Sequence, residues 1–394
     1  MKKFRVMLDY SDTQVIFGSD IDSVKQTYKA KHPDNYVTVH ELMTLSNGLD
    51  IVKPNYLSNS SMQKFYKDPV EFALQYTLID PPERFAQTYQ MMFGSAFDGY
   101  VKNYMVSKLY DDMPEEYALP RIIHDQCERQ FWDKKHPHYK AEFDAFIWGA
   151  ELLEQYKISG ALGDLMAMLR NAAALPKFEF TVTDKIVHKE FGECVILGKP
   201  DVYFETKEGA HIIFDFKCNS IMAKSNTSPK KAFAKCSDGW VGGKQSRDNG
   251  SQHRDAILMY EHGVLCNFAH KFQDIDATWC DQTTAYSWLM GSPVGGSIVV
   301  GIHQLVGQKT EPSELLKIRV AQHYYPVDAD YQFDLLKKYC VMWEAVQSGH
   351  IFMDMSREDS DLKLLELAAI HSGNKLGSKD AWLSETLREK KYFG

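Results

Sequence analysis

Residues 198–217, with the sequence GKPDVYFETKEGAHIIFDFK, decide the fold that we predict for this chain. Two short apolar runs flank a turn at Lys207-Glu208-Gly209, which is the pattern of two adjacent antiparallel strands. Because side chains alternate between the faces of a strand, Asp215 and Lys217 share one face, opposite the neighbouring phenylalanines. Asp201 stands at the start of the partner strand. Three charged side chains are therefore expected to converge at one point.

This cluster has the composition of a site that hydrolyses phosphodiesters. The carboxylates of Asp201 and Asp215 supply the oxygen ligands that Mg2+ or Mn2+ prefers. A metal held there would neutralise charge developing on a phosphate and lower the pKa of a bound water. The ammonium of Lys217 would orient that water or stabilise the transition state. The competing interpretation is an aspartate in a turn and a solvated strand end, since Asp-x-Lys is a common pattern.

Helix and strand patterns outside this hairpin predict a mixed α/β protein with a helical front. The strands are expected at 4–8, 14–17, 36–39, 178–189, 194–204, 210–217, 297–305 and 318–325. The helices are expected at 21–30, 60–66, 68–76, 87–109, 141–172, 251–262 and 329–348. We predict three regions: a small α+β module at 1–45, a main domain at 55–350, and a charged helical tail at 351–394.

Composition narrows the classes of function. The 394 residues carry a net charge of -8, so nucleic acid would have to bind at a local basic patch on an acidic body. Seven widely spaced cysteines with no CxxC pair argue against a disulfide framework and against zinc or iron–sulfur sites. The sequence has no apolar run of membrane-spanning length and no signal core, which predicts a cytoplasmic protein without membrane contact.

A basic segment follows the second strand and is the candidate surface for nucleic acid. Between Lys217 and Arg254 there are eight basic and two acidic residues, a net charge of +6 in an acidic chain. Clustered Lys and Arg contact phosphates, and an aromatic side chain can stack on an unpaired base. The alternative is a solvated surface loop. The candidate DNA contacts are Lys224, Lys230, Lys231, Lys235, Trp240, Lys244, Arg247 and Arg254.

Pro200-Asp201 followed by Asp215-Phe216-Lys217 resembles the signature of the PD-(D/E)xK nucleases, and the surroundings resemble their RecB/RecE/lambda-exonuclease-like branch. The likeness covers roughly residues 55–350 and is strongest at these two motifs. It implies a restriction-endonuclease-like core, in which helices flank a mixed central sheet. It also implies a Mg2+-dependent deoxyribonuclease, specifically an exonuclease acting on DNA ends in recombination, repair or replication of a phage or bacterium.

The resemblance assigns roles to further residues. Glu179 opens the first core strand, where such proteins often have a catalytic Glu, and Gln252 and Tyr260 resemble the Gln and Tyr of a later DNA-contacting helix. In these nucleases the front helix usually carries a metal-ligating His after a Gly. Here Asp98 stands four residues after Gly94 and becomes the candidate ligand. Gln252 lies eight residues before Tyr260, so this second departure leaves the Gln motif poorly defined.

The partners that this resemblance implies are DNA, as double-stranded ends or a single strand, a recombinase or replication protein, and further copies of the chain. Two alternatives stay open: a sequence- or structure-specific endonuclease of the restriction type, and a catalytically silent DNA- or protein-binding module. The CRISPR-associated branch is disfavoured because clustered cysteines are missing. An ATPase is rejected because Gly239–Lys244 lacks the spacing of a phosphate-binding loop.

Overall fold

A computed structural model describes most of the chain. The described residues are 1–8, 12–82, 89–114, 139–219, 235–236, 239–240, 258–261, 264–267, 276–308 and 317–375. Contacts divide the chain into two compact units: Met1–Arg84, Thr183–Leu197 and Leu336–Gly394 form the first, and Phe85–Val182 and Gly198–Leu335 form the second. These units are not linear segments, so the boundaries predicted at 45, 55 and 350 stay a prediction.

The described helices and strands follow one another along the chain in this order. The elements are β1 (Lys2–Leu8), β2 (Asp12–Gly18), α1 (Ile21–Lys31), β3 (Val37–Thr44), β4 (Asp50–Lys53), α2 (Asn59–Lys67), α3 (Pro69–Phe72), a π-helical turn (Ala73–Thr77), α4 (Tyr89–Leu109), α5 (Tyr139–Ile158), α6 (Ala161–Arg170), β5 (Lys177–Phe178), β6 (Val182–His188), β7 (Gly192–Gly198), β8 (Val202–Glu205), β9 (His211–Asn219), β10 (Lys235–Cys236), β11 (Gly239–Trp240), β12 (Leu258–Glu261), β13 (Val264–Asn267), α7 (Ala277–Leu289), β14 (Ile298–Gln308), β15 (Lys317–Val327), α8 (Ala329–Ser348) and α9 (Arg357–Lys375). None of the described helices combines the length and apolar character needed to cross a membrane.

The first unit contains an antiparallel four-stranded sheet in the order β2-β1-β3-β4. Asp20 caps α1 by accepting a hydrogen bond of 2.8 Å from the Ser23 backbone N–H, which satisfies one of the donors left open at a helix start. Alternate residues of β1, including Phe4 and Val6, pack with Val24 of α1 in a small apolar cluster. The strands and helix predicted in this region are confirmed, whereas β4 was not predicted.

The second unit is built on a five-stranded sheet in the order β15-β14-β9-β8-β5. β14 runs parallel to β9, and the remaining neighbours are antiparallel, so the sheet is mixed. Helices α4, α5 and α6 contribute to the same core as the sheet, with Phe97, Tyr156, Phe214 and Phe216 among its buried residues. The protein is therefore a mixed α/β structure in which helices flank a mixed central sheet. The restriction-endonuclease-like arrangement itself stays a prediction.

The structure corrects four predicted elements. The helix expected at 141–172 is two helices, α5 and α6, on either side of Gly160, whose φ is 80°. The helix expected at 251–262 is wrong over Leu258–Glu261, which forms β12 paired with β13; residues 251–257 lie outside the described part of the chain. The strand expected at 178–189 is two strands, β5 and β6, separated at Glu179, whose φ of 45° lies in the left-handed region. The strand expected at 194–204 is likewise β7 and β8, with Asp201 between them.

Helices α4 and α5 approach closely at Gly149. A Cβ atom at this position would lie 2.8 Å from the Ala96 Cβ and 2.9 Å from the Phe97 backbone nitrogen. Since backbone cannot move aside cheaply, we expect Gly149→Ala to destabilise the protein by about 1–3 kcal/mol in urea unfolding. The matched control is Gly163→Ala on α6, where nothing lies within 4 Å, and we expect it to stabilise by up to about 1 kcal/mol. Equal effects of the two variants would contradict the close approach.

Buried polar side chains lie on both faces of the β14–β15 pair in the second unit. His303 hydrogen bonds through Nδ1 with the Tyr156 hydroxyl and through Nε2 with the Tyr324 hydroxyl, the latter at 2.9 Å. His323 Nε2 donates to Gln304 Oε1 at 3.2 Å. Burial lowers the pKa of both histidines to about 3. Both rings are therefore neutral in the folded protein at ordinary pH.

These histidines predict that acid weakens the fold. Because their folded pKa is depressed, the unfolded chain takes up protons first as pH falls below about 6.5. Stability is then lost towards pH 3 by about 1.4 kcal/mol per pH unit for each histidine. Urea unfolding at a series of pH values measures this slope, and His323→Gln is expected to reduce it. The same slope in variant and parent would show that His323 does not carry the effect.

Candidate functional site

The backbone fixes Asp201 opposite Asp215. Val202 of β8 pairs with Phe214 of β9, and continuing this antiparallel register by one residue places the two aspartates across from each other. The Glu179 backbone N–H donates to the Asp201 carbonyl oxygen at 3.1 Å. The Phe216 backbone N–H donates to Asp201 Oδ2 at 3.0 Å. The carboxylate of Asp201 is thus held by the neighbouring strand rather than left to rotate in a turn.

Alternation along β9 separates the charged side chains from the aromatic ones. Phe216 packs against Phe97 and Tyr156, with ring centroids 5.7 and 6.1 Å away. The side chains of Asp215 and Lys217 face away from this core and form an ion pair with each other. The residue Asp215 is only 3% exposed. The structure therefore brings Asp201, Asp215 and Lys217 together, as the sequence pattern predicts.

Burial and mutual charge set the protonation of this group. Burial, reinforced by Asp201, raises the pKa of Asp215 to about 7 against the lowering effect of Lys217. Burial would also raise the pKa of Asp201, but Lys102 and Lys217 outweigh it, so the pKa of Asp201 is lowered. Burial would lower the pKa of Lys217, but Asp215 and Asp201 raise it. Lys217 is therefore an ammonium at neutral pH and cannot act as a base.

Helix α7 places Gln282 and Tyr286 beside the charged group. Lys217 Nζ donates to Gln282 Oε1 at 3.1 Å, and Gln282 Nε2 lies 3.5 Å from Asp215 Oδ1. The same amide nitrogen donates to the Tyr286 hydroxyl oxygen at 3.2 Å. Gly198 makes room for the helix, since a Cβ there would lie 2.6 Å from the Tyr286 ring. The amide of Gln282 thus connects the ammonium to the carboxylate.

The Gln and Tyr that the structure places beside the charged group are Gln282 and Tyr286, which the sequence did not single out. The DNA-contacting roles of Gln252 and Tyr260 stay a prediction. Gln252 lies outside the described residues, and Tyr260 belongs to β12. The signal was present: Asp276 is a good N-cap residue, and positions 282 and 286 are four apart, which puts them on one helix face.

A second acidic group surrounds Lys102, which the sequence analysis did not single out. Its ammonium donates to Asp98 Oδ2 at 2.5 Å, to Glu179 Oε2 at 2.8 Å and to Asp201 Oδ1 at 3.1 Å. Lys199 also forms an ion pair with Glu179. Asp98 and Lys102 are four residues apart on α4, so one helix face presents both.

Lys102 also sets the charge of its carboxylate partners. Burial would lower the pKa of Lys102, but Asp201, Asp98 and Glu179 together raise it well above its usual value. Burial would raise the pKa of Glu179, yet Lys102 and Lys199 lower it. Burial raises the pKa of Asp98 to about 7 despite Lys102. Asp98, the candidate metal ligand, thus binds an ammonium in this structure, and a ligand role for it stays a prediction.

The predicted DNA contacts fall mostly outside what the structure describes. Lys235 lies in β10 and pairs in register with Trp240 of β11. The remaining basic candidates lie outside the described residues: Lys224, Lys230, Lys231, Lys244, Arg247 and Arg254. Their role in binding DNA therefore stays a prediction.

The residues fit a single divalent cation between Asp201 and Asp215. Both side chains offer hard oxygen donors, which Mg2+ and Mn2+ prefer. Asp215 Oδ2 is buried and, apart from its ion pair with Lys217, makes no hydrogen bond to the described residues. Burial and Asp201 raise the pKa of Asp215, so a cation bound here would stabilise the charged form of this carboxylate. In the described part of the chain no three His, Cys, Asp or Glu side chains form a ready metal site, and the three carboxylates that meet at Lys102 bind its ammonium. Water or substrate would complete the shell of an ion held by Asp201 and Asp215.

Comparison with known proteins adds little to this geometry. No protein-family model and no curated protein matches the chain. Among solved structures, one titled "Crystal structure of SSO0001" aligns with 72% of this chain and 86% of its own, at 10% sequence identity and a TM-score of 0.21. Similarity at this level supports no conclusion about the family or the function of the chain.

Proposed function

We propose that this chain is a metal-dependent deoxyribonuclease. The observation that carries the proposal is the contact geometry of Asp201, Asp215 and Lys217 at the edge where β8 and β9 meet. One buried carboxylate, one largely buried carboxylate and one ammonium meet beside the start of β8, an arrangement that can hold a cation but costs stability without one. Clusters of strongly perturbed ionisable groups are typical of functional sites.

Each residue has a definite role in this proposal. Asp201 and Asp215 would hold Mg2+ or Mn2+ through oxygen atoms, and the bound metal would supply Lewis acidity and lower the pKa of a water. Lys217, protonated and held by Gln282, would orient the attacking water or stabilise negative charge on the phosphate. The phenylalanines behind β9 fix the strand and so keep these groups in place.

The finer assignments rest on the motif resemblance described above. An exonuclease that acts on DNA ends, in the cytoplasm of a bacterium or phage-infected cell, is the activity that Pro200-Asp201 and Asp215-Phe216-Lys217 favour. The ammonium of Lys102 inside the acidic cluster favours the alternative of a catalytically silent DNA-binding protein, because it already neutralises part of the site. The exonuclease and the silent DNA-binding protein differ in one measurable property, the cleavage of DNA.

The deciding experiment uses end-labelled linear DNA and covalently closed circular DNA, with Mg2+ or with EDTA. We expect the linear substrate to be degraded from its ends with Mg2+ and to stay intact with EDTA. Cleavage of the closed circle at defined positions would select the endonuclease alternative. DNA binding without cleavage under any of these conditions would overturn the proposed activity and support the silent alternative.

Gln282 provides a further prediction. Gln282→Ala removes the acceptor of the Lys217 ammonium and the donor near Asp215, so both charged side chains become less well oriented. We expect a fall in kcat of about 10–100-fold, as is usual for residues that orient a catalytic or metal-binding group. The control is Gln155→Ala on α5, for which we expect wild-type kcat. A kcat for Gln282→Ala that equals the control would exclude a positioning role.

A further inference from the structure

We propose that Lys102 is a built-in cation that fills one of two cation positions in the acidic cluster, so that the chain takes one divalent ion. The inference rests on the proposed function and deepens it, because it states how many metal ions the site uses. Lys102 is a positioning residue in this account. Its ammonium holds Asp201, which carries the chemistry on its other side.

The contacts of Lys102 resemble those of a coordinated ion. A lysine ammonium has three N–H donors, and here three carboxylate oxygens from three different residues receive them, at 2.5, 2.8 and 3.1 Å. The side chain is 1% exposed, so water does not compete for these donors. A metal ion at the same place would have to displace the ammonium from a position in which all its donors are used.

The net charge of the cluster also favours one bound divalent ion over two. With every group ionised, four carboxylates (Asp98, Glu179, Asp201 and Asp215) face three ammonium groups (Lys102, Lys199 and Lys217), which gives four negative and three positive charges, a net of -1. One divalent ion changes this net charge to +1, whereas a second would make it +3 in a buried site. Charge of one sign at such density is costly away from water. Removing Lys102 lowers the net charge to -2 and also vacates the position between three of the carboxylates, which removing Lys199 does not.

Asp201 contacts both Lys102 and the strand that carries Asp215. Its Oδ1 atom accepts from Lys102, while Oδ2 accepts from the Phe216 backbone N–H beside Asp215. A carboxylate oxygen has capacity for more than one partner, so Oδ2 remains able to serve a metal shared with Asp215. Lys102 thus fixes the orientation of a carboxylate from the side that the metal does not use.

The test counts bound Mn2+ on the full-length protein by isothermal titration calorimetry and by electron paramagnetic resonance. We expect one ion per chain for the wild type and two for Lys102→Met, because the variant frees three carboxylates for a second ion. Lys102→Arg keeps the positive charge and is expected to bind one. Lys199→Met is the matched control, since this lysine is 51% exposed and contacts only the Glu179 carboxylate among the four, and it is expected to bind one.

The outcomes separate this inference from the proposed function. Two ions on the wild type, or one on both the wild type and Lys102→Met, would overturn the role of Lys102 and leave the nuclease proposal standing. No ion on the wild type but one on Lys102→Met would contradict both the count of one ion and metal-dependent hydrolysis. No ion on either would overturn both. Should Lys102→Met fail to fold, the count on the wild type still decides, because two coupled Mn2+ ions give a distinct resonance spectrum.

Discussion

Asp201→Asn is expected to lower the rate of DNA cleavage by about 10³-fold, equivalent to about 4 kcal/mol of transition-state stabilisation. The asparagine keeps the shape of the side chain, but its single amide oxygen can accept from either the Phe216 N–H or Lys102, not from both. It removes the negative charge that the metal requires beside Asp215. Single-turnover cleavage of linear DNA at saturating Mg2+ measures this effect on the chemical step.

Asp334→Asn on the exposed surface of α8 is the matched control for Asp201→Asn. It removes the same charge without touching the charged cluster, and we expect the wild-type rate. Circular dichroism and thermal unfolding establish that both variants are folded. A rate for Asp201→Asn within about tenfold of the control would mean that this carboxylate does not hold the metal.

Lys102→Met is expected to destabilise the metal-free protein by about 3–5 kcal/mol, because three carboxylates lose the cation that compensates them. The methionine fills a similar volume, so the loss reports charge rather than a cavity. Urea unfolding in EDTA measures it. Addition of Mn2+ is expected to restore part of the stability, since ions that bind only the folded state stabilise it.

Lys199→Met is the control for this stability measurement. The Lys199 side chain is 51% exposed, and a solvent-exposed ion pair contributes about 0–1 kcal/mol. We therefore expect a change within about 1 kcal/mol. Similar decreases in the free energy of unfolding for Lys199→Met and Lys102→Met would show that the ammonium of Lys102 is not the compensating charge of the cluster.

The hairpin that carries the site was predictable from local patterns. The apolar run Ile212-Ile213-Phe214 and the turn ending at Gly209 indicate two short antiparallel strands, and strand geometry then determines which side chains face one another. The same logic predicted the N-terminal strands and the helix Ala329–Ser348. In each case the local pattern and the tertiary packing favour the same structure.

Apolar periodicity does not reveal helix α7, for which the sequence offers only the Asp276 cap and the spacing of Gln282 and Tyr286. It is rich in Thr, Ser, Cys and Trp, which are not strong helix formers, and residues 283–289 form a continuous buried run. A helix buried on most sides lacks the polar face that makes helical periodicity visible. A helix was predicted at 251–262 instead. Strands Leu258–Glu261 and Val264–Asn267 are separated by only two residues, a spacing typical of hairpins.

The burial of Lys102 among carboxylates could not be predicted from the sequence either. A lysine four residues after an aspartate on a helix normally indicates a solvated surface pair. Lys102 is buried only because Glu179 and Asp201, 77 and 99 residues further along the chain, supply two more carboxylates at the same point. Such a cluster forms through long-range packing, and no local pattern encodes it.

The most direct test of the central claim compares wild-type protein with Lys217→Ala on end-labelled linear DNA in Mg2+. The account predicts release of labelled nucleotides by the wild type, none in EDTA, and a rate lower by at least about 10²-fold for the folded variant. Equal cleavage by the two proteins would contradict it, because the ammonium beside Asp215 would then have no part in hydrolysis.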